Sequence, residues 1–244
     1  MDEDAVDSPD SELIQWRRDA STSRTVRLLW SLGVGTFFAA IGIIVFWRLF
    51  DIAGQIGTLA ETTVAAFFAA VIVTAFAFAV TSNTEQRVAA LSRRLPIDLP
   101  TGQGLERGAD AVIGTVIMMT VIGSLMIIGR IVSQRELLDV GAGPFTGLAA
   151  LTIPLALVAL VFASFLRSVG ALDREERTIY LYDPDQAIDL EVINGISTRQ
   201  LGDATILTLE YAQPGGQYVA GPRRIVVPPH IARELQSLVE ERTV

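Results

Sequence analysis

VGAGPFTGLAALTIPLALVALVFASFL, from Val140 to Leu166, holds 27 residues without a charged side chain. Coiled as a helix rising roughly 1.5 Å per residue, such a stretch crosses a hydrocarbon layer about 30 Å thick. Three further uncharged runs have comparable length: Leu28 to Trp47 (20 residues), Thr62 to Thr84 (23) and Ala111 to Gly129 (19). Half of the 244 residues are hydrophobic, only 19% are charged, and the mean hydropathy is +0.44. That balance is too apolar for a water-soluble chain of this length. The predicted fold class is therefore membrane all-α, with four transmembrane helices at about 28–50, 62–84, 110–130 and 144–167, followed by a small β-rich cytoplasmic domain with a C-terminal helix.

Charge orders these pieces. Residues 1–27 carry a net −3, residues 28–170 balance at 0, and residues 171–244 carry −5. The division predicts an acidic N-terminal arm (1–27), a transmembrane domain (28–170) with a cytoplasmic loop at 85–109, and a cytoplasmic β-rich domain (171–244) closed by a helix at 229–242. Eleven arginines fall before the first run, between the second and third, and just after the fourth, against three (Arg48, Arg130, Arg135) in the alternate loops. The positive-inside rule then predicts a multi-pass cell-membrane protein with both termini cytoplasmic, and an even number of spans agrees by placing the two termini on one side.

The first ten residues read as disordered. Leu13, Ile14 and Trp16 beside Arg17 and Arg18 suit a segment lying on anionic headgroups. Within the middle loop, Val88, Leu91 and Leu95 share one helical face flanked by Arg87, Arg93 and Arg94, so this segment is expected along the cytoplasmic surface or as an extension of the second span. Arg93 and Arg94 are accordingly candidate headgroup or partner contacts.

Several function classes are disfavoured by what the sequence lacks. There is no cysteine and a single histidine, His230, which excludes a disulfide framework and thiolate or His-rich metal sites. The acidic pI near 4.7 argues against a nucleic-acid partner. All four apolar runs are free of ionisable groups, which proton relays and voltage sensors need at bilayer depth. Glu61, Asp110, Arg48 and Arg130 sit at run edges, where they can reach headgroups. No catalytic, cofactor or metal pattern emerges, and no small-molecule substrate is implied, so the expectation is no enzyme and no cofactor. All 19 basic residues are arginine, a bias that suits a GC-rich, halophilic archaeal source.

Small residues four apart (Gly35 and Ala39, Ala65 and Ala69, Ala66 and Ala70, Ala75 and Ala79) predict close helix packing. Pro154 predicts a kink in the fourth span.

Beyond Arg177 the hydrophobic period changes from helical to alternating. Thr178 to Tyr182 reads as a strand and Asp183 to Gln186 as a turn, and Ile188, Leu190 and Val192 alternate with Asp189 and Glu191 as a second strand. Asn194-Gly195 marks a turn or bulge. Leu201-Gly202-Asp203 turns the chain into a strand from Thr205 to Tyr211, Pro214-Gly215-Gly216 makes a loose loop, and Arg223 to Val227 forms a last strand before an amphipathic helix.

Ile193-Asn194-Gly195-Ile196, then Leu201 to Leu209, then Ile225-Val226-Val227-Pro228 before that helix resemble the later part of bacterial pleckstrin-homology-like domains. The resemblance covers about the last 70 residues and includes no catalytic signature. It implies a fold of about seven strands and a closing helix, of which four or five strands are legible here. It also implies a small prokaryotic membrane protein whose tail binds another membrane protein, copies of itself or lipid headgroups. Arg199, Arg223 and Arg224 become candidate contacts on the same ground, although the net −5 of the tail weighs toward a solvated face. Confinement at the bilayer would raise the effective concentration of such a partner. The alternatives are a small channel or transporter subunit, with hydroxyls such as Thr120 lining a path, and an accessory subunit of a membrane enzyme.

Overall fold

The computed structural model describes residues 13–80, 103–137, 139, 141–212 and 221–240. Its chain divides into two compact units, Arg27–Ala163 and the pair of segments Met1–Val26 and Ser164–Val244. The middle-loop helix expected around Val88 to Leu95, the Pro214-Gly215-Gly216 loop and the first ten residues lie outside the described residues.

The apolar runs form α1 (Arg24–Ile56), α2 (Thr58–Val80), α3 (Gln103–Gln134) and α4 (Gly143–Phe165). Each is long and apolar enough to cross a membrane. They differ from the predicted bounds because charges mark the ends of an apolar run, whereas backbone capping ends a helix. Ser23 caps α1 ahead of Leu28, its hydroxyl accepting from Val26 N at 3.2 Å. At the far end Gly57, at φ +145°, is the single residue between α1 and α2. Its N–H donates to Ala53 O, and its carbonyl accepts from Ala60 N and Glu61 N. α4 continues through Pro154 as one helix.

Backbone proximity organises the packing of α1 on α3. A Cβ added to Gly35 would strike the Gly114 backbone and lie 2.5 Å from Thr115 N, and one added to Gly114 would strike the carbonyl of Ser31. Gly42 meets Met119 a few residues on, so the two helices run parallel. Gly33 packs on Ala156 and Leu160 of α4, which runs the other way, and Ala39, Ile122 and Ala149 form the common core. The expected contact at Gly35 and Ala39 therefore lies at the centre of the bundle. α2 differs, since its span has no buried residue among those described.

Two polar contacts bracket this packing. Asp110 turns inward to Arg27 at 2.5 Å, its side chain 8% exposed, instead of reaching outward as a run-edge charge would. At the other end the Arg130 guanidinium lies 5.8 Å from the Trp47 ring centroid. On each helix the brackets stand twenty residues apart, roughly 30 Å of helix rise, which is the thickness of a hydrocarbon layer.

The other unit is built from both ends of the chain. β1 (Leu13–Arg18), β2 (Ser168–Asp173), β3 (Thr178–Tyr182) and β4 (Asp185–Asp189) form one antiparallel sheet in that order, and β5 (Ile193–Leu201), β6 (Ala204–Tyr211) and β7 (Arg224–Val227) form a second. α5 (Pro229–Glu240) follows. This departs from the predicted division into an acidic arm at 1–27 and a separate tail domain at 171–244. Leu13–Arg18 is a strand paired with β2, Trp16 opposite Gly170 and Arg18 opposite Ser168. Its alternation puts Trp16 and Arg18 inward and Gln15 and Arg17 outward, a period of two that a reading for surface helices passes over.

Further strands also shift. Asp185 already pairs with Tyr182, and the strand expected over Ile188 to Val192 ends at Asp189. There the carboxylate accepts from Glu191 N at 2.7 Å and starts a 3-10 turn over Leu190–Val192. The register shift between Ile193 and Gly195 is the bulge read from Asn194-Gly195. Gly202, at φ +61°, makes the predicted β5–β6 turn.

Leu172 and Ile179 from the first sheet, Leu207 and Val227 from the second, and Ile231 and Leu235 from α5 are all buried in one core. α5 is held further by Arg174 to Glu234 at 2.8 Å and by the Arg177 guanidinium donating to Leu238 O at 3.1 Å. Trp16, 4% exposed, covers Gly170, where an added Cβ would lie 2.5 Å from the indole ring.

Trp16→Ala is expected to cost about 3–5 kcal/mol. Protease cleavage within residues 168–240 of the full chain should rise about 100-fold or more where opening precedes cleavage, and an unchanged rate would contradict the place of β1 in the core. Gly114→Val should cost about 1–3 kcal/mol through the clash with Ser31. In detergent it should melt several degrees lower, while Gly123→Ala, with nothing within 4 Å of its added Cβ, should not.

Candidate functional site

The sequence candidates distribute unevenly over the second sheet. Pairing aligns Arg199 with Ile206 and Val226, and Ser197 with Thr208 and Arg224. Directly paired residues share a face, and so do Ile206 and Thr208, two apart on β6. Arg199 and Arg224 therefore stand on one face, two strands apart and offset by one row, roughly 12 Å from each other by strand spacing and rise. Both are exposed. Glu210 occupies the same face beside Gly195, so the patch is mixed in sign. Arg223 precedes β7, and its carbonyl accepts from Leu209 N at 2.9 Å. Arg93 and Arg94 lie outside the described residues. His230 is exposed on the first turn of α5.

The most connected polar cluster of this unit escaped the sequence reading. Arg18, 4% exposed, donates through Nε to Leu166 O at 3.1 Å, through one terminal nitrogen to Asp203 O at 2.5 Å, and through the other to Asp203 Oδ1 at 2.7 Å. The Ser23 hydroxyl donates to Asp203 Oδ2 at 2.9 Å while accepting from Val26 N. The carboxylate thus lies at the first turn of α1, where the helix dipole and unpaired N–H groups favour negative charge. Asp203, in a two-residue hairpin turn, ties the β5–β6 corner to β1 and the start of α1, and its partner Arg18 reaches on to the chain just after α4. The only sequence signals for it were Arg18 in the inward phase of a short alternation and Asp203 beside a turn glycine.

Asp19 organises the neighbouring turn. Its carboxylate accepts from Arg17 Nε at 3.0 Å, from Ser21 N at 2.8 Å and from the Ser21 hydroxyl, and its carbonyl accepts from Ser23 N at 2.8 Å. Partial burial by itself raises the pKa of both aspartates. For Asp19 the bonds from Ser21 and Arg17 outweigh it and bring the carboxyl to about 2. For Asp203 the bonds from Thr25, Arg18 and Ser23, with the Arg18 charge, hold the carboxyl far below its ordinary value.

Elsewhere polar chemistry is spent locally. The hydroxyls of Thr36, Thr115, Thr120 and Thr152 donate to carbonyls of their own helices at 2.6–2.8 Å, which weakens the case for a hydroxyl-lined path. Among the described residues no three His, Asp or Glu side chains gather as a metal site requires. A cleft of about 430 Å³ lies beside β4 and the end of β6, where the Tyr211 hydroxyl donates to Pro222 O at 3.0 Å. No protein-family model, curated protein or solved structure was found to match the chain.

Both aspartates ionise more readily in the folded chain than in the unfolded one. Their stabilisation is therefore complete above the ordinary value of 3.8 and, for Asp19, disappears as pH falls through about 2. Urea midpoints measured from pH 5 down to pH 2 should fall most steeply below about pH 4, and Asp203→Asn should flatten that profile; parallel profiles would contradict the assignment. At neutral pH Asp203→Ala should cost about 2–3 kcal/mol, because Arg18 would keep a buried charge without its carboxylate.

Proposed function

We infer that this chain is a multi-pass membrane protein, non-enzymatic, whose β unit serves as a docking module held at the cytoplasmic face of the cell membrane. The observation that carries the reading is that one sheet of the β unit draws on chain from both sides of the helical segment in sequence: β1 precedes α1, β2 follows α4, and the two strands pair. Pairing of residues 13–18 with 168–173 requires both ends of the helical segment to leave on one side of any layer it crosses. This supports an even number of spans, and the arginine distribution supports a cytoplasmic side. Seven described strands in a four-plus-three arrangement with a C-terminal helix agree in number with the fold that the pleckstrin-homology-like resemblance implies, and so support that reading.

The docking face is that of β5–β7. Glu210 shares the surface of Arg199 and Arg224. That mixed sign favours a protein partner with both acidic and basic groups, another membrane protein or a second copy, over a single lipid headgroup. Attachment to the membrane confines the module and raises the effective concentration of that partner.

Crosslinking in native membranes, with identification of the attached proteins, tests this reading. Arg199→Glu with Arg224→Glu should lower a specific crosslink by about 10-fold or more, as loss of two charge-assisted contacts implies. The unfolding midpoint should stay within about 0.5 kcal/mol of the parent, as exposed substitutions do. An unchanged crosslinking pattern, or turnover of any substrate by the purified chain, would overturn the proposal.

A further inference from the structure

The helical unit contains a slot that the docking reading does not use. α2 meets α1 through an edge-to-face contact of Phe46 and Phe68, with ring centroids 5.1 Å apart. Beside that contact a cleft of about 300 Å³ opens between α1, α2 and α3, at the low end of ligand-pocket volumes. Phe46, Trp47, Ala69, Gly123 and Met126 line it, and among the described residues no ionisable side chain does. Gly123 makes the space: a Cβ there would meet nothing within 4 Å.

Length and polarity then define an occupant. On α3 the lining runs from Met119 to Ile127, a span of eight residue steps or roughly 12 Å, close to the half-thickness of a hydrocarbon layer. Its deep end, at Gly42, Ile72 and Met119, is wholly apolar. Its outer end is Trp47, with the Arg130 guanidinium over the ring and Arg48 next in sequence. An apolar slot about one leaflet deep with a guanidinium at its mouth complements a molecule with one long apolar chain and an anionic head.

We propose that this slot is a lipid site, taking one hydrocarbon chain of an anionic phospholipid with the phosphate at Arg130. The aromatic ring orients the guanidinium toward the interface, and the chain fills the open space beside Gly123. The site rests on the membrane reading given above.

The full-length protein, reconstituted in phosphatidylcholine vesicles containing a minor fraction of phosphatidylglycerol, is first floated with the vesicles and then extracted gently for native mass spectrometry. Phosphatidylglycerol should be retained over phosphatidylcholine by about 10-fold relative to the vesicle composition. Gly123→Leu should abolish retention of either lipid while melting no lower than the parent, since leucine favours a helix over glycine. Arg130→Gln, an exposed position, should leave a retained chain but remove the preference for phosphatidylglycerol. Phosphatidylglycerol with brominated chains should quench Trp47, read as the difference from Trp47→Phe, and Gly123→Leu should remove that quenching. Retention in bulk proportion, or undiminished retention or quenching in Gly123→Leu, would overturn the site. Failure to float would instead overturn the membrane reading.

Discussion

Pairing between β1 and β2 is the constraint on which the rest of this molecule depends. A strand leaves half of its backbone polar groups waiting for a neighbour, and β2 finds its neighbour about 150 residues earlier in the chain. The pairing obliges the intervening helices to begin and end together. It also delivers Trp16 to the core and Arg18 to Asp203. Without it the first sheet would lose an edge, the indole that covers Gly170, and the guanidinium to which the β5–β6 turn is fastened.

Two kinds of interaction divide the work. In the β unit, burial of aliphatic side chains from two sheets and α5 supplies the driving force, and the Arg18–Asp203 cluster supplies direction. A buried guanidinium is costly unless its donors are met, and here three donors are placed on two carbonyls and a carboxylate. In the helical unit the core is small in cross-section. Gly35 and Gly114 let two backbones touch, and many large apolar side chains remain at the surface, as suits helices that face lipid. α2 takes this furthest, with no buried residue among those described in its span.

Much of this was legible along the chain. The four apolar runs announced four helices because length and the absence of charge are local properties, and the strand from Thr178, the bulge at Gly195, the turn at Gly202 and the last amphipathic helix were readable for the same reason. Their limits were less so: α1 extends past Arg48 and Asp51 because Gly57, and not a charge, ends it. Leu13–Arg18 was misread because six residues with two arginines satisfy both a surface segment and a short strand, and only a partner distinguishes them. Of the candidate contacts, Arg199 and Arg224 share a face through register across β6, which spacing alone does not reveal.

The sequence by itself determined which segments are apolar enough for lipid and which alternate as strands, since both follow from side-chain periodicity within a few turns of chain. The tertiary structure alone decided that the two ends of the chain form one unit, that Asp203 receives Arg18 across 185 positions, and that Gly114 rests on Ser31. These are contacts between residues far apart in sequence. Their energy depends on distance in space, and nothing in the local pattern of either partner encodes it.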